Sequence, residues 1–191
     1  MYKRQDLYVT QGNEQKVEIV AEQNIIDEIE RDVFNGIWEI EYDQCIRQNE
    51  KVEIFVVMPN IELLSISGSG FIRGENIFEV DDIDLRISGS GDIDVALDTK
   101  SIDGEITGSG EMILEGNTDD FDFEISGSGD YEAFELSALR GNIKVTGSGD
   151  SEVRVVDELD IRINGSGDVR YKDFPVLNVE INGSGRVINA N

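Results

Sequence analysis

Histidine is absent from this sequence of 191 residues, cysteine occurs once, and Lys and Arg number 16 against 41 Asp and Glu. Without histidine the chain lacks the commonest general base, the commonest zinc ligand and every Ser-His or Cys-His catalytic arrangement. The single cysteine, Cys45, excludes an internal disulfide and a cysteine-based metal cluster. It reads as incidental rather than reactive. The shortage of basic residues leaves a formal charge of −25, which repels nucleic acid and anionic lipid, favours solubility and suits divalent cations. No apolar run approaches the length of a membrane span. Met1 to Asp6 shows no secretory apolar region, which taken alone leans toward the cytoplasm.

What the chain does have is Gly-Ser-Gly, seven times, beginning at Gly68, Gly89, Gly108, Gly127, Gly147, Gly165 and Gly183. The steps between first glycines are 21, 19, 19, 20, 18 and 18 residues, and a near-constant period of this size marks a solenoid. Two residues before each triplet stands a β-branched residue: Ile66, Ile87, Ile106, Ile125, Val145, Ile163 or Ile181. A flexible linker would not keep that neighbour, and no helix start follows to make a phosphate loop. The regular Ile, Val and Leu also separate this acidic chain from a disordered one.

Counting by two from the first glycine, as a pleated strand requires, sorts the residues into columns. Position −4 holds Leu64, Leu85, Gly104, Phe123, Ile143, Ile161 and Val179, and position +4 holds Ile72, Ile93, Met112, Tyr131, Ser151, Val169 and Val187. Odd positions are polar: Ser, Thr or Asn at −1, serine at +1, mostly Asp or Glu at +3. The even face is therefore expected inside, with the strand bent at the triplet. Glycine suits such a corner because a β-carbon there would crowd its neighbours or forbid the dihedral. Turn sets such as Asp98-Thr99-Lys100 and Asp173-Phe174-Pro175 recur once per rung. Stacked parallel strands at 4.7–4.9 Å would make seven rungs roughly 30 Å long.

The triplet-free stretch before the rungs reads as a β-rich lead-in. Leu7 to Thr10 and Lys16 to Ala21 have strand character, while Ile25, Ile26, Ile29 and Val33 follow a helical spacing. Asn35-Gly36 predicts a type I′ hairpin with Ile37 to Tyr42 returning. Glu50 to Met58 is a further strand, closed by Pro59-Asn60. A propeller blade needs about 40 residues, twice this period, and an antiparallel sandwich gives no reason for an identical triplet at every second turn. The sequence predicts an all-β, right-handed parallel β-helix with rungs of 18–21 residues over 63–191, preceded by an N-terminal β-rich cap over 1–62.

The repeated Ile-[Ser/Thr/Asn]-Gly-Ser-Gly-Asp unit, after a lead-in ending Val-Val-Met-Pro-Asn-Ile-Glu-Leu-Leu, resembles the "putative auto-transporter adhesin, head GIN domain" family. The likeness runs from about Asp6 to Asn191. It implies a bacterial cell-envelope protein, periplasmic or extracellular, with an adhesin-like or scaffold role and no catalytic residue. Members usually carry an export or lipoprotein signal, which is not visible here.

Two columns are candidate sites. Ser69, Ser90, Ser109, Ser128, Ser148, Ser166 and Ser184, with their −1 neighbours, form a hydroxyl- and amide-rich stripe that could bind a sugar chain. Serines bonded to one another and to turn backbone would explain the same column. Asp92, Glu111, Asp130, Asp150 and Asp168 stack as an acidic column, with Phe71 and Arg186 at its ends. Neighbouring carboxylates would repel by roughly 1 kcal/mol per pair in water, which calcium could relieve. The spacing does not match a calcium β-roll, so a solvated column is the simpler expectation and no cofactor is assigned.

A polysaccharide-acting enzyme needs two carboxylates in distinct environments and a walled cleft, and no rung carries a long insertion. Phe121, Phe123, Tyr131 and Phe134 could suggest an aromatic sugar platform, though the −4 and +4 columns place Phe123 and Tyr131 inside, and Trp38 is expected beneath the hairpin. The sequence thus favours a non-enzymatic protein whose partner is a surface glycan or an envelope protein. The alternative is a polysaccharide-acting enzyme or a calcium-dependent carbohydrate-binding module.

Overall fold

The computed structural model describes residues 5–29, 32–40 and 52–191. Cys45 lies outside them, as do the last two residues of the strand predicted at Ile37 to Tyr42 and the first two of that predicted at Glu50 to Met58. The chain opens with β1 (Gln5–Gln11), β2 (Lys16–Val20), the single-turn α1 (Gln23–Ile26), β3 (Val33–Phe34), β4 (Ile37–Trp38) and β5 (Val52–Met58). Asn35 and Gly36 take φ of +52° and +81°, so the Asn-Gly pair makes the β3–β4 hairpin as its dihedral needs dictate. Val33, predicted to continue the helical spacing, sits in β3 and is exposed.

The rungs follow as β6 (Leu63–Gly68), β7 (Phe71–Gly74), β8 (Phe78–Glu79), β9 (Asp82–Gly89), β10 (Asp92–Gly108), β11 (Glu111–Gly127), β12 (Asp130–Gly147), β13 (Ser151–Gly165), β14 (Asp168–Lys172), β15 (Val176–Gly183) and β16 (Arg186–Asn189). Successive rungs pair in parallel, and the first glycines align in an unbroken file, Gly68, Gly89, Gly108, Gly127, Gly147, Gly165 and Gly183. The result is the right-handed parallel β-helix expected, of about 7 turns. Variation in rung length is absorbed away from the triplet. Between β12 and β13 the register shifts at Ala133/Ser137 and again at Ala138/Arg140, so the extra residues are taken up within the strands while the corner stays in register.

The lead-in is knitted into the coil rather than strung before it. β1 lies between β5 and β7, parallel to both, with Leu7 beside Ile54 on one side and Ile72 on the other. Val9 joins the core of the rungs. β2 pairs antiparallel with β5, and Ile25 and Ile29 from the α1 region pack with Val52, Ile54 and Val56 into a second cluster. Trp38 packs against this cluster, partly buried. Together these residues close one end of the solenoid.

Inside, the even columns are buried through six rungs, including Leu85, Phe123, Ile143 and Ile161 at −4 and Ile93, Met112, Tyr131 and Val169 at +4. The seventh rung departs from the expectation. Leu177, Val179 and Ile181 are substantially exposed because no strand of the described residues lies on the far side of β15. Ser151 is a second departure: it sits in the +4 core column, fully buried, with its hydroxyl unpartnered.

Candidate functional site

The site begins with the physics of the corner. Each first glycine of a triplet has φ between +109° and +149°, a region that side chains with a β-carbon rarely enter. From the second rung on, a β-carbon there would lie 2.0–2.4 Å from the carbonyl oxygen of the first glycine one rung earlier. The third residue is glycine for a different reason. A β-carbon on Gly91, Gly110 or Gly129 would meet the Cγ2 of Ile66, Ile87 or Ile106 at 2.5–2.6 Å. The β-branched residue of one rung therefore fills the space under the second glycine of the next, which is why the two recur together.

Between these glycines the serine is held by its backbone alone. The amides of Ser90, Ser109, Ser128, Ser148, Ser166 and Ser184 donate to the preceding first-glycine carbonyls at 2.7–2.8 Å. Their side chains project outward and are exposed, Ser69 being half-buried. Packing demands both glycines but leaves the residue between them free. The side-chain ladder considered from the sequence does not form: no hydrogen bond joins these hydroxyls among the described residues.

Beside this ridge lies the outer face of the strands that lead into it. Its first column is Ser67, Ser88, Thr107, Ser126, Thr146, Asn164 and Asn182, all exposed except the half-buried Ser126. Asn182 Nδ2 donates to Asn164 at 3.3 Å, and Thr107 donates to Glu105 at 3.3 Å. Further out, Lys144 pairs with Glu124 at 2.6 Å and Arg86 with Asp84 at 3.0 Å. Asp103, in the same outer field, has its carboxyl pushed above the usual range by partial burial and then by Asp84 and Asp122. This face is polar, and its −3 and −5 columns hold seven Asp or Glu against three Lys or Arg.

On the other side of the ridge the acidic column divides into two halves. Asp92, Glu111 and Asp130 are neighbours in register. The Glu111 carboxyl is raised by partial burial, then by repulsion from Glu132, Asp92 and Asp130. From Asp130 onward the carboxylates are occupied. The Asp150 amide donates to Asp130 Oδ1 at 2.7 Å, the Asp168 amide to Asp150 Oδ1 at 2.7 Å, and the Arg186 amide to Asp168 Oδ1 at 3.0 Å. The Arg186 guanidinium closes the series on Asp168, and its hydrogen bond holds that carboxyl below the ordinary range. Arg170 spans Asp150 and Glu152 at 3.4 and 3.7 Å. Among the described residues no three Asp, Glu, Cys or His converge as metal ligands.

The aromatic platform is corrected by burial. Phe121, Phe123 and Tyr131 all lie inside, stacked with centroids 4.1 and 4.4 Å apart. Phe134 is half-buried, with Lys172 4.2 Å from its ring centroid. The stack fits because glycine faces it: a β-carbon on Gly141 would come within 2.2 Å of Phe121, and one on Gly104 within 2.9 Å of Phe123. Over Gly141 the surface dips into a depression of about 170 Å³ lined by Asp120, Arg140, Asn142, Glu158 and Asp160. Its most prominent acid, Asp120, is already paired with Arg140 at 2.7 Å.

Fold and surface together define a right-handed β-solenoid that displays continuous polar columns on bent rungs. The chain belongs to the family described as "Putative auto-transporter adhesin, head GIN domain", which matches residues 1–175. It is similar in structure to a putative adhesin of Bacteroides fragilis, with 24% identity, a TM-score of 0.93 and coverage of 98% of this chain and 88% of that one. A putative adhesin of Parabacteroides distasonis gives 24% identity, a TM-score of 0.78 and coverage of 98% and 89%. A protein of the same organism described as a putative lipid binding protein gives 20%, 0.78, 97% and 89%. Comparison with curated proteins gives no match. These likenesses bear on the fold, and no helix among the described residues is long and apolar enough to cross a membrane.

Proposed function

We propose that this chain is a non-enzymatic binding module of the bacterial cell envelope, periplasmic or extracellular, that lays an extended polar polymer along its serine ridge and the polar face beside it. The observation that carries the reading is the unpartnered hydroxyl. From the second rung on, stacking explains both glycines of the triplet and the β-branched residue packed beneath the second, yet places no demand on the exposed serine between them. Hydroxyls at rung spacing offer donors and acceptors in a regular row, the chemistry that a repeating glycan presents in return. The adhesin description of the family accords with a binding role, and a surface of charge −25 steers the choice away from nucleic acid and anionic lipid.

Catalysis has less support. Rung-length variation goes into bulges rather than long loops, so among the described residues no loop walls a cleft in which two carboxylates could acquire different environments. From Asp130 to Arg186 the acidic column acts as a hydrogen-bonded ladder that locks successive rungs rather than as a cation site. A glycan array probed with the whole chain, with calcium and with EDTA, tests the assignment. Retention on a defined set of envelope-type glycans in both conditions is the expected result, with no reducing ends released on prolonged incubation. Release of reducing ends would make the protein an enzyme, and retention only with calcium would make the acidic column the site.

A further inference from the structure

Through the corner every rung pair keeps register. Rungs run from 18 to 21 residues, yet from position −5 to the first glycine each residue sits beside its counterpart one rung below without a shift. The serine amides then bond to the first-glycine carbonyls of the rung below at 2.7–2.8 Å. The side chains at −1 and +1 therefore form two rows, one on each side of the glycine file, that advance by about 4.7–4.9 Å per rung. From Ser90 to Ser166 the +1 serines are exposed. Their hydroxyls make no hydrogen bond among the described residues, and neither do those of Ser88, Ser126 and Thr146 in the −1 row.

We propose that the two rows read a neutral, β-1,4-linked glycan, one sugar to a rung, an inference that rests on the binding role proposed above. The first selecting feature is pitch. Pyranoses joined through equatorial bonds form a flat, extended ribbon. Its advance per sugar is close to the strand spacing of about 4.7–4.9 Å, so a short run stays in step with the rungs. The α-1,4 and β-1,3 linkages turn a chain into a helix, and its hydroxyls leave the rows after a sugar or two.

The second feature is the doubling of the row. Successive sugars of such a ribbon are flipped by half a turn, so each edge presents ring hydroxyls and hydroxymethyl groups by turns. Each rung offers one hydroxyl or amide to each edge, and those groups both donate and accept. The third feature is charge. Through rungs two to six the column at +3 holds five acids, and the column at −3 two acids and three bases. A polyuronate, with a carboxylate on every sugar, would set like charges beside the +3 column at each rung, which is costly.

Calorimetric titration of the full chain with soluble β-1,4-linked oligomers of glucose and of N-acetylglucosamine, from two to five sugars, tests the inference. For at least one series the affinity should rise about two- to tenfold with each added sugar, as a further rung is engaged. Pentamers of α-1,4-linked glucose, β-1,3-linked glucose and β-1,4-linked mannuronate should bind at least tenfold more weakly. Ser128→Ala should weaken the pentamer but not the dimer, which can sit on other rungs, and should leave the melting temperature unchanged. Equal affinity for the other linkages or for mannuronate overturns the inference and leaves a glycan-binding role standing. So does an affinity that stops rising at two sugars, or a Ser128→Ala pentamer titration equal to that of wild type. Absence of binding by every oligomer overturns the inference and the binding role together.

Discussion

Replacing Gly108 by alanine puts the stacked corner under direct strain. Gly108 has φ of +130°, and its β-carbon would lie 2.2 Å from the Gly89 carbonyl oxygen. Holding a non-glycine residue in that region costs about 1–3 kcal/mol. Relief requires the carbonyl to retreat by more than an ångström to reach ordinary contact at 3.4 Å. That movement breaks the 2.7 Å bond from the Ser109 amide to the same oxygen, worth about 0.5–1.5 kcal/mol. The expected loss is therefore about 2–4 kcal/mol. Ser109→Ala, one residue along with an exposed side chain, should stay within about 0.5 kcal/mol of wild type. Urea unfolding followed by far-ultraviolet circular dichroism measures both. Solenoids can lose rungs separately, so the comparison holds where the slopes of the transitions agree. A loss below about 1 kcal/mol for Gly108→Ala, or an equal loss for both variants, would refute the corner as the element that sets the coil.

Other outcomes follow from the interior and the charge. Gly141→Ala should destabilise by about 1–3 kcal/mol through overpacking against Phe121, and Phe121→Leu in the same chain should recover part of the loss in a double-mutant cycle. Calcium should leave the melting temperature where EDTA leaves it; a rise with calcium would show that the acidic column binds the ion. Glu111 and Asp103 have folded-state carboxyls raised above their unfolded values, so their contribution is fully present below the unfolded range and fades as pH rises through the folded values. Thermal melts should accordingly show stability increasing as pH falls through the upper part of the carboxyl range toward the unfolded values, with Glu111→Gln flattening that rise. Asp168 is shifted the other way, so its contribution is lost on further acidification, and Asp168→Asn should weaken the fall at the acid end. A melting temperature that drops steadily from neutral pH would contradict the assignment for Glu111 and Asp103.

The coil was legible because each of its constraints repeats. A requirement felt by every rung writes itself into the sequence as a column, and the glycine file, the β-branched file and the buried even positions all do so. What was not legible depends on single long-range pairings. The position of β1 between β5 and β7 joins residues near 7, 54 and 72 with no local pattern to announce it. Phe121 stands at −6, one even step beyond the −4 column, and that step places it in the core against Gly141 rather than on a sugar platform. The glycine at that position was the signal, since a small residue stacked on a large one is volume compensation. The five acids of the column read as stacked carboxylates that repel one another, but its second half is a chain of carboxylate-to-amide bonds ending on Arg186. Such bonds depend on which carboxylate turns toward the next rung, and no residue pattern fixes that. The serine column is exposed from Ser90 onward, and the hydroxyl ladder that the sequence suggests does not form among the described residues.

The central division of labour is that glycine builds the corner and serine works at it. One variant separates the two: Ser90, Ser109, Ser128, Ser148 and Ser166 all changed to alanine, leaving every glycine in place. Its binding to the glycans retained by wild type should fall at least tenfold while its unfolding midpoint stays near that of wild type. Undiminished binding at equal stability would contradict the account.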